Sequence, residues 1–511
     1  MALSLFLVYL VFSLVVLYKS YDAMFWDIIS IIYLFFATIF VGFSSVPGIL
    51  VWSSVIGIIA IHRLPELRVF ISNFIYNKVK NTLPRISQTE KSALNAGDTW
   101  FEESIFRGEP DLSMLQGIKP ELTEDEQSFL DNEVNELCAL LDEWSIEQNK
   151  DLSAEAWDYI KKKGFLGIVI PKEYGGRGFS ALAHSEIVMK LASRSGTAAV
   201  SVMVPNSLGP AELLLNYGTD VQKQQYLPKL AIGEEIPCFA LTEPEAGSDA
   251  TSVSSKAVVV KRKVAGKEVL GLSINLEKRW ITLAPIATLL GVAVKLSDPD
   301  GLLAGIGREG ITCVLIPHDA ENLQIGNRHL PANTGLMNGT IRGNDIFVAV
   351  DNIIGGQKNA GLGWEMLVEC LAIGRAISLP ALSAAVSGVA YLSTGAFACV
   401  RQQFATEIGH FEGVQEKLAA IAGYNYLVNS TRLLTLAAVY AGKKPSTASA
   451  ITKYFSTELA REVINNAMDI HGGRAVVAGP RNYLANHYCS MPIYITVEGA
   501  NIMTRNLLIF G

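Results

Sequence analysis

Glu498 is the only acidic residue between Asn482 and Thr504, and that stretch contains no Lys or Arg. It sits among Tyr494, Ile495 and Val497 and is followed by Gly499, which allows a ligand to approach the backbone closely. Dry, apolar surroundings raise the pKa of a carboxyl and suit it to proton transfer near neutral pH. Burying a carboxyl without a partner is otherwise costly. The second chemical signal is Cys238-Phe239-Ala240-Leu241-Thr242-Glu243-Pro244-Glu245-Ala246-Gly247-Ser248-Asp249. Pro, Gly, Ser and Asp in succession build a tight turn whose N–H groups and hydroxyls can face an anionic or polar ligand. A plain surface loop would use the same residues. The six cysteines (Cys138, Cys238, Cys313, Cys370, Cys399, Cys489) are scattered and the histidines ungrouped, so neither a metal site nor a disulfide framework is expected, and the compartment reads as reducing. Gly305, Gly307 and Gly310 spell G-x-G-x-x-G, but a β-rich run follows where a dinucleotide fold needs a helix.

The elements around these residues change texture twice. Thr123 and Glu126 make a capping box, after which Leu130, Val134, Leu137, Leu141 and Trp144 recur at helical spacing. Ser153 caps a further helix ending near Gly164, and helices are predicted over 180–194 and 220–232. From Pro237 the runs are short and β-rich: 257–260, 269–275, 288–296, 311–316 and 346–350. After about Gly361 the helical period returns. The order is a helical domain (122–236), a β-domain (237–360) and a second helical domain (361–511), with no internal repeat.

The chain is 511 residues long with a net charge of −7, which gives no basic field for nucleic acid. Only 18% of residues are charged, against ~25% in ordinary soluble proteins, and the apolar excess lies at the N-terminus. Stretches 3–18 and 28–61 carry no charge, and the second is broken by Ser44-Ser45-Val46-Pro47-Gly48. Two or three membrane passes within 1–62 are expected. A basic flank follows within a 63–121 linker: Arg63, Arg68, Lys78, Lys80 and Arg85 against Glu66. By the positive-inside bias the rest of the chain is then cytoplasmic.

The Leu241-Thr242-Glu243-Pro244-Glu245-Ala246-Gly247-Ser248-Asp249 loop resembles the marker of the acyl-CoA dehydrogenases. The resemblance runs from about Leu122 to the end. It includes Tyr217-Gly218-Thr219, Tyr226-Leu227-Pro228, Gly233-Glu234, Trp280-Ile281-Thr282, Arg401 with Gln403-Phe404, Gln415 with Glu416-Lys417-Leu418, Gly472-Gly473 and Val497-Glu498-Gly499. It implies an α+β fold: N-terminal membrane helices, a helical domain, a central β-barrel-like domain and a C-terminal helical bundle. The apolar N-terminus looks most like that of the large membrane-associated bacterial β-oxidation members, at the bacterial inner membrane. Those members carry a further C-terminal region, so the chain is expected to be a fragment.

The resemblance also implies a reaction. FAD takes the β-hydride of a medium- to long-chain acyl-CoA while a glutamate removes the α-proton, leaving trans-2-enoyl-CoA; Glu498 matches that base. Some members carry the base on a helix, just before an Arg; here Gly374 precedes Arg375 and cannot serve, leaving Arg375 to position substrate alongside Gly499 and Ser248. For FAD the resemblance nominates Phe239, Leu241, Thr242, Gly247 and Ser248, with Trp280 over the ring system and Thr282 near N5. Arg401, Gln403, Phe404, Gln415, Gly472 and Gly473 resemble elements that reach a neighbouring subunit's FAD, which implies a homodimer or larger homo-oligomer. Electrons would pass to an electron-transfer flavoprotein or a membrane acceptor. Three positions depart from the pattern: Asp469 replaces the Gln before the glycine pair, Ala405 replaces the Gly after Gln-Phe, and Ala500 replaces the Thr after Glu-Gly, so that one flavin hydrogen bond is either missing or replaced through Asn501. The alternatives are an acyl-CoA oxidase of similar fold and a non-enzymatic membrane scaffold using that fold.

Overall fold

The structure is a computed structural model that describes residues 9, 11, 12, 15, 23–42, 45–80, 82, 97–207 and 209–510. It divides into two compact units, Met1–Arg85 and Ile86–Gly511.

In the first unit, helices α1 (Ala23–Val41) and α2 (Val46–Arg63) form a hairpin, and α3 (Pro65–Val79) begins at Pro65. Ser45 caps α2 by accepting from the Gly48 N–H. Leu34 and Ala37 pack on Val51 and Val55 along the seam, and Trp52 Nε1 donates to Thr38 Oγ1 at 3.0 Å. Arg63 Nε donates to Asp27 Oδ2 at 2.6 Å at the open end. Phe35, Ile39 and Leu50 stay exposed on the outer faces. The apolar cores of these helices, Met24–Phe40 and Gly48–Gly57, are shorter than a ~20-residue span. Among the described residues, the helices long and apolar enough to cross a membrane are Gly196–Tyr217 and Gly363–Val400, and both are mostly buried in protein. Among the described residues, the two or three membrane passes expected within 1–62 thus have no helix of full spanning length and apolarity. Most of the first apolar stretch lies outside the described residues.

The second unit begins with a segment whose Trp100 packs on Ala437 and Ala438. Eight helices follow: α4 (Glu124–Asp131), α5 (Glu133–Leu140), α6 (Glu143–Asn149), α7 (Ala154–Lys162), α8 (Ala181–Arg194), α9 (Gly196–Ser207), α10 (Pro210–Tyr217) and α11 (Asp220–Ala231). The capping box of Thr123 and Glu126 and the Ser153 cap form as predicted. The run from Leu130 to Trp144 breaks into α4, α5 and α6. Asn132 turns its side chain back onto Ser128 O, competing with the helix, and Leu141 is extended.

The β-region is one seven-stranded sheet in the order β1-β4-β2-β3-β7-β6, with β5 on β4. The strands are β1 (Pro237–Ala240), β2 (Lys256–Val264), β3 (Lys267–Thr282), β4 (Leu289–Ser297), β5 (Gly310–Pro317), β6 (Leu323–His329) and β7 (Asn338–Ala349). β5 and β6 are edges, so the barrel-like domain expected from the sequence is a half-barrel, open between them. Helices α12 (Gly363–Val400), α13 (Glu412–Tyr440) and α14 (Ser446–His471) then pack together, followed by α15 (Ala485–Thr496) and α16 (Asn501–Phe510). A short hairpin, β8 (Gln402–Gln403) with β9 (Thr406–Glu407), joins α12 to α13. One continuous core runs from Phe129 through Val292 to Tyr494, so the three segments share their interior.

Candidate active site

α15 ends at Thr496, and the chain turns through two left-handed residues, Glu498 (φ 55°) and Gly499 (φ 90°), before α16 begins. Positive φ is uncommon for a non-glycine residue and is kept only where the surroundings over-determine it. The turn aims the Glu498 carboxylate inward: both oxygens are buried and neither has a hydrogen-bond partner, although the backbone and stem are partly exposed. Burial pushes this carboxyl up to about 7; the Arg375 and Lys453 charges, and to a lesser extent the Ser378 hydroxyl, oppose the rise. Arg375 comes from α12, and its Nη2 lies 3.5 Å from where a Cβ on Gly499 would sit. Its Nε is buried and unpartnered, and burial lowers its pKa. The fold thus brings Glu498, Gly499 and Arg375 together.

α15 is anchored at its start as well. Asn486 Nδ2 donates to Glu143 Oε1 at 3.1 Å, and Glu143 is pushed up to about 7 by burial. Asn501 does not face outward toward a cofactor. It is buried, accepting from Lys453 Nζ at 2.7 Å and donating to Thr457 Oγ1 and Glu458 Oε1, each at 2.9 Å. The expected replacement hydrogen bond through Asn501 is therefore corrected: the side chain is consumed in holding α16 to α14.

The second cluster is built on β1 and β3. Phe239 packs beneath Gly291 and Pro210, and the chain leaves β1 through Leu241 and Thr242 into a loop where Gly247 and Ser248 are exposed. Glu243, only 1% exposed, holds this loop from inside. It accepts from Lys278 Nζ at 2.7 Å, from Ser254 Oγ at 2.8 Å and from the N–H groups of Ser254 and Ser255. Burial alone would push Glu243 up, but Lys278 and these donors outweigh it and bring it down to about 2. Lys278 completes its donors on Leu241 O at 3.1 Å and Ala293 O at 2.7 Å. Burial lowers its pKa, but a carboxylate and two carbonyls around three N–H groups hold it as an ammonium.

One residue beyond Lys278, β3 bulges: two residues oppose Thr340 between the pairs Lys278–Ile341 and Ile281–Gly339. The bulge puts Trp280 at φ 60° and leaves it 57% exposed, one face covered by the Arg279 guanidinium 4.0 Å from the ring centroid. Arg279 N donates to Thr242 O at 3.1 Å and Arg279 Nη2 to Pro244 O at 2.7 Å, so the bulge and the loop are tied together. Thr282 pairs with Asn338 at the end of β3. A bare aromatic face, an open Gly247 and an unpartnered buried Arg279 Nε fit a planar, polar cofactor such as FAD. The turn between α9 and α10 links the two clusters: Ser207 Oγ lies 3.1 Å from Ser378 Oγ, and Gly209 and Pro210 pack on Pro237 and Phe239.

The remaining nominated residues form a separate, exposed surface. Phe404 (φ 52°) and Ala405 (φ 59°) make a tight two-residue hairpin, which holds Ala405 in the left-handed conformation without the usual glycine and leaves Phe404 92% exposed. Arg401 and Gln403 flank it, and Gln415 Nε2 reaches Gly409 O at 3.2 Å. Gly472 and Gly473 lie nearby, since His471 stacks on Phe397 at 4.2 Å and Arg401 N bonds Phe397 O. Among the described residues, none of these bonds to the Thr242 loop.

The buried Glu498 carboxylate, together with a loop and bulge whose exposed aromatic face fits a planar, polar cofactor, suits a flavin-dependent oxidoreductase. Sequence profiles of the N-terminal, middle and C-terminal domains of acyl-CoA dehydrogenases match residues 121–234, 238–346 and 361–509. The chain is 31% identical over 332 residues to a 3-(aryl)acrylate reductase of Clostridium sporogenes, covering 64% of this chain and 82% of the relative. It is 31% identical over 333 residues to the probable acyl-CoA dehydrogenase YngJ of Bacillus subtilis, with the same shares. The fold is similar to that of butyryl-CoA dehydrogenase from Megasphaera elsdenii, with TM-score 0.67 and 21% identity over 76% of this chain and 98% of that one. The chain belongs to the acyl-CoA dehydrogenase family. It is accordingly a FAD-dependent oxidoreductase acting on CH–CH groups, which sets aside the scaffold reading.

Proposed function

We propose that this enzyme dehydrogenates medium- to long-chain acyl-CoA thioesters to trans-2-enoyl-CoA in fatty-acid β-oxidation. The observation that carries the reading is Glu498: a carboxylate with both oxygens buried, no hydrogen-bond partner and a pKa of about 7 is poised to receive a proton from an acidified α-carbon. Arg375 neutralises part of its charge without bonding it, leaving its lone pairs available. Phe239, Leu241, Thr242, Gly247, Ser248, Trp280 and Thr282 would hold FAD, which when bound supplies the acceptor for the β-hydride. Ser248, Arg375 and Gly499 would position the thioester. Titrating the purified protein anaerobically with acyl-CoA esters of graded length should bleach the flavin absorbance, most completely with medium to long chains. No bleaching with any ester would refute the reaction. Rapid reoxidation on admitting oxygen would favour an acyl-CoA oxidase over electron transfer to an electron-transfer flavoprotein or a membrane acceptor.

The same reading includes a homodimer or larger homo-oligomer, with Arg401, Gln403, Phe404, Gln415, Gly472 and Gly473 reaching a neighbour's FAD. The exposed Phe404 tip supports it. It also includes attachment of Met1–Ile61 to the bacterial inner membrane, with the catalytic part cytoplasmic. The exposed apolar faces of α1 and α2, followed by Arg68 and Lys78, support that. The full chain should sediment with membranes and resist high-salt extraction, and deleting Met1–Ile61 should release a soluble flavoprotein. A full-length protein freely soluble without detergent would overturn the anchor.

A further inference from the structure

Lys453 lies about two turns into α14, fully buried, where an ammonium needs a reason to be. Its three donors are taken up by three acceptors: Gly499 O at 2.8 Å, Asn501 Oδ1 at 2.7 Å and Ile495 O at 3.4 Å. All three lie within four residues of Glu498 and bracket it on both sides. Thr457 and Glu458, four and five residues further along α14, hold the far side of Asn501. The left-handed pair Glu498–Gly499 is thus pinned by a cation from another helix, the kind of over-determination that such backbone requires. Lys453 spends no hydrogen bond on the Glu498 carboxylate, so its charge acts on the base through space while the lone pairs stay free.

We propose that Lys453 is a positioning residue: its buried ammonium clamps the turn that presents Glu498, and its charge keeps that carboxylate available as a base. The proposal rests on Glu498 being the base. Charged groups bearing on the site are Arg375 from α12 and Lys453 and Glu458 from α14. Burial lowers Lys453 to about 8, so the clamp is charged through the neutral range.

Lys453→Gln removes the charge and keeps two N–H donors; Lys453→Arg keeps the charge and changes the reach. Flavin reduction by acyl-CoA is followed in both holoenzymes, in the parent and in Glu498→Gln, across the neutral pH range. In Lys453→Gln the KM should stay within about threefold, while the acid limb of the reduction rate moves up by about one pH unit, because an opposite charge near a carboxylate is typically worth that much or more. The loss is then about tenfold below the limb and shrinks above it. Lys453→Arg should leave the limb in place. A Lys453→Gln limb superimposed on the parent's overturns the proposal. Should Lys453→Gln fail to accumulate as a flavoprotein, a displaced limb in Lys453→Arg overturns it equally. Glu498→Gln reducing at the parental rate would instead sink the base assignment itself.

Discussion

Glu498→Gln should yield a folded, yellow protein that binds acyl-CoA but whose flavin is reduced by substrate at least ~10²–10⁴-fold more slowly, the usual range for loss of a general base. The amide keeps the shape of the side chain in its left-handed turn and removes only the basic oxygen. Because hydride cannot leave the β-carbon productively while the α-proton stays, the deficit belongs to the chemical step and should appear in kcat far more than in KM. The parent should show the sign of the raised pKa. The ionised carboxylate is the active form, so the rate should rise with pH through about 7 and fall about tenfold per unit below it. An ordinary carboxyl would place that limb more than two units lower. Stopped-flow absorbance across pH decides the matter: near-parental bleaching in Glu498→Gln, or a parental limb near 4.5, would show that another group takes the proton.

The order of elements was legible because hydrophobic period is a local property. Thr123 with Glu126 and Ser153 cap helices where the sequence places them, and Leu272 and Ile274 alternate inward on β3 as a half-buried strand should. β6 escaped notice because its residues are mostly exposed along the edge and carry no alternation. Glu498 was legible for a related reason, since its isolation from other charges is visible along the chain. Lys453 and Lys278 were not. Each is a cation in an amphipathic run, which ordinarily marks the solvated face, and each finds partners tens of residues away that only tertiary packing reveals. Asn501 misled the reading for the same reason. Its neighbours suggested a flavin contact, but α14 claims the side chain first. Phe404 is nominated by the resemblance and stands at an exposed hairpin tip in the structure, yet its use depends on a second subunit, which one chain does not contain.

Lys278→Met should be among the most damaging single substitutions outside the base. Methionine nearly matches the stem in volume, so packing is kept while Glu243 is left as a buried carboxylate facing only Ser254 and Ser255. Removing one partner of a buried ion pair typically costs ~3–5 kcal/mol, because the remaining charge stays desolvated and uncompensated. That cost falls on the loop from Leu241 to Ser248, since Lys278 also bonds Leu241 O and the neighbouring Arg279 bonds Thr242 O and Pro244 O. The expected phenotype is therefore twofold: a clearly lowered melting temperature and loss of flavin on gel filtration. Glu243 is held far below its ordinary pKa in the parent, so the pair's contribution is fully present above about pH 4.5 and disappears as pH falls toward 2. In Lys278→Met the carboxyl can instead take up a proton as the pH is lowered, so its deficit relative to the parent should shrink toward acid. Adding Glu243→Gln should recover much of the stability, because a neutral amide can still meet the serine N–H groups without a buried charge. Thermal melts and flavin content of the two single variants and the double variant form the cycle that measures this coupling. Additive losses, or a Lys278→Met protein that keeps both its melting point and its FAD, would show that the loop is held by other contacts.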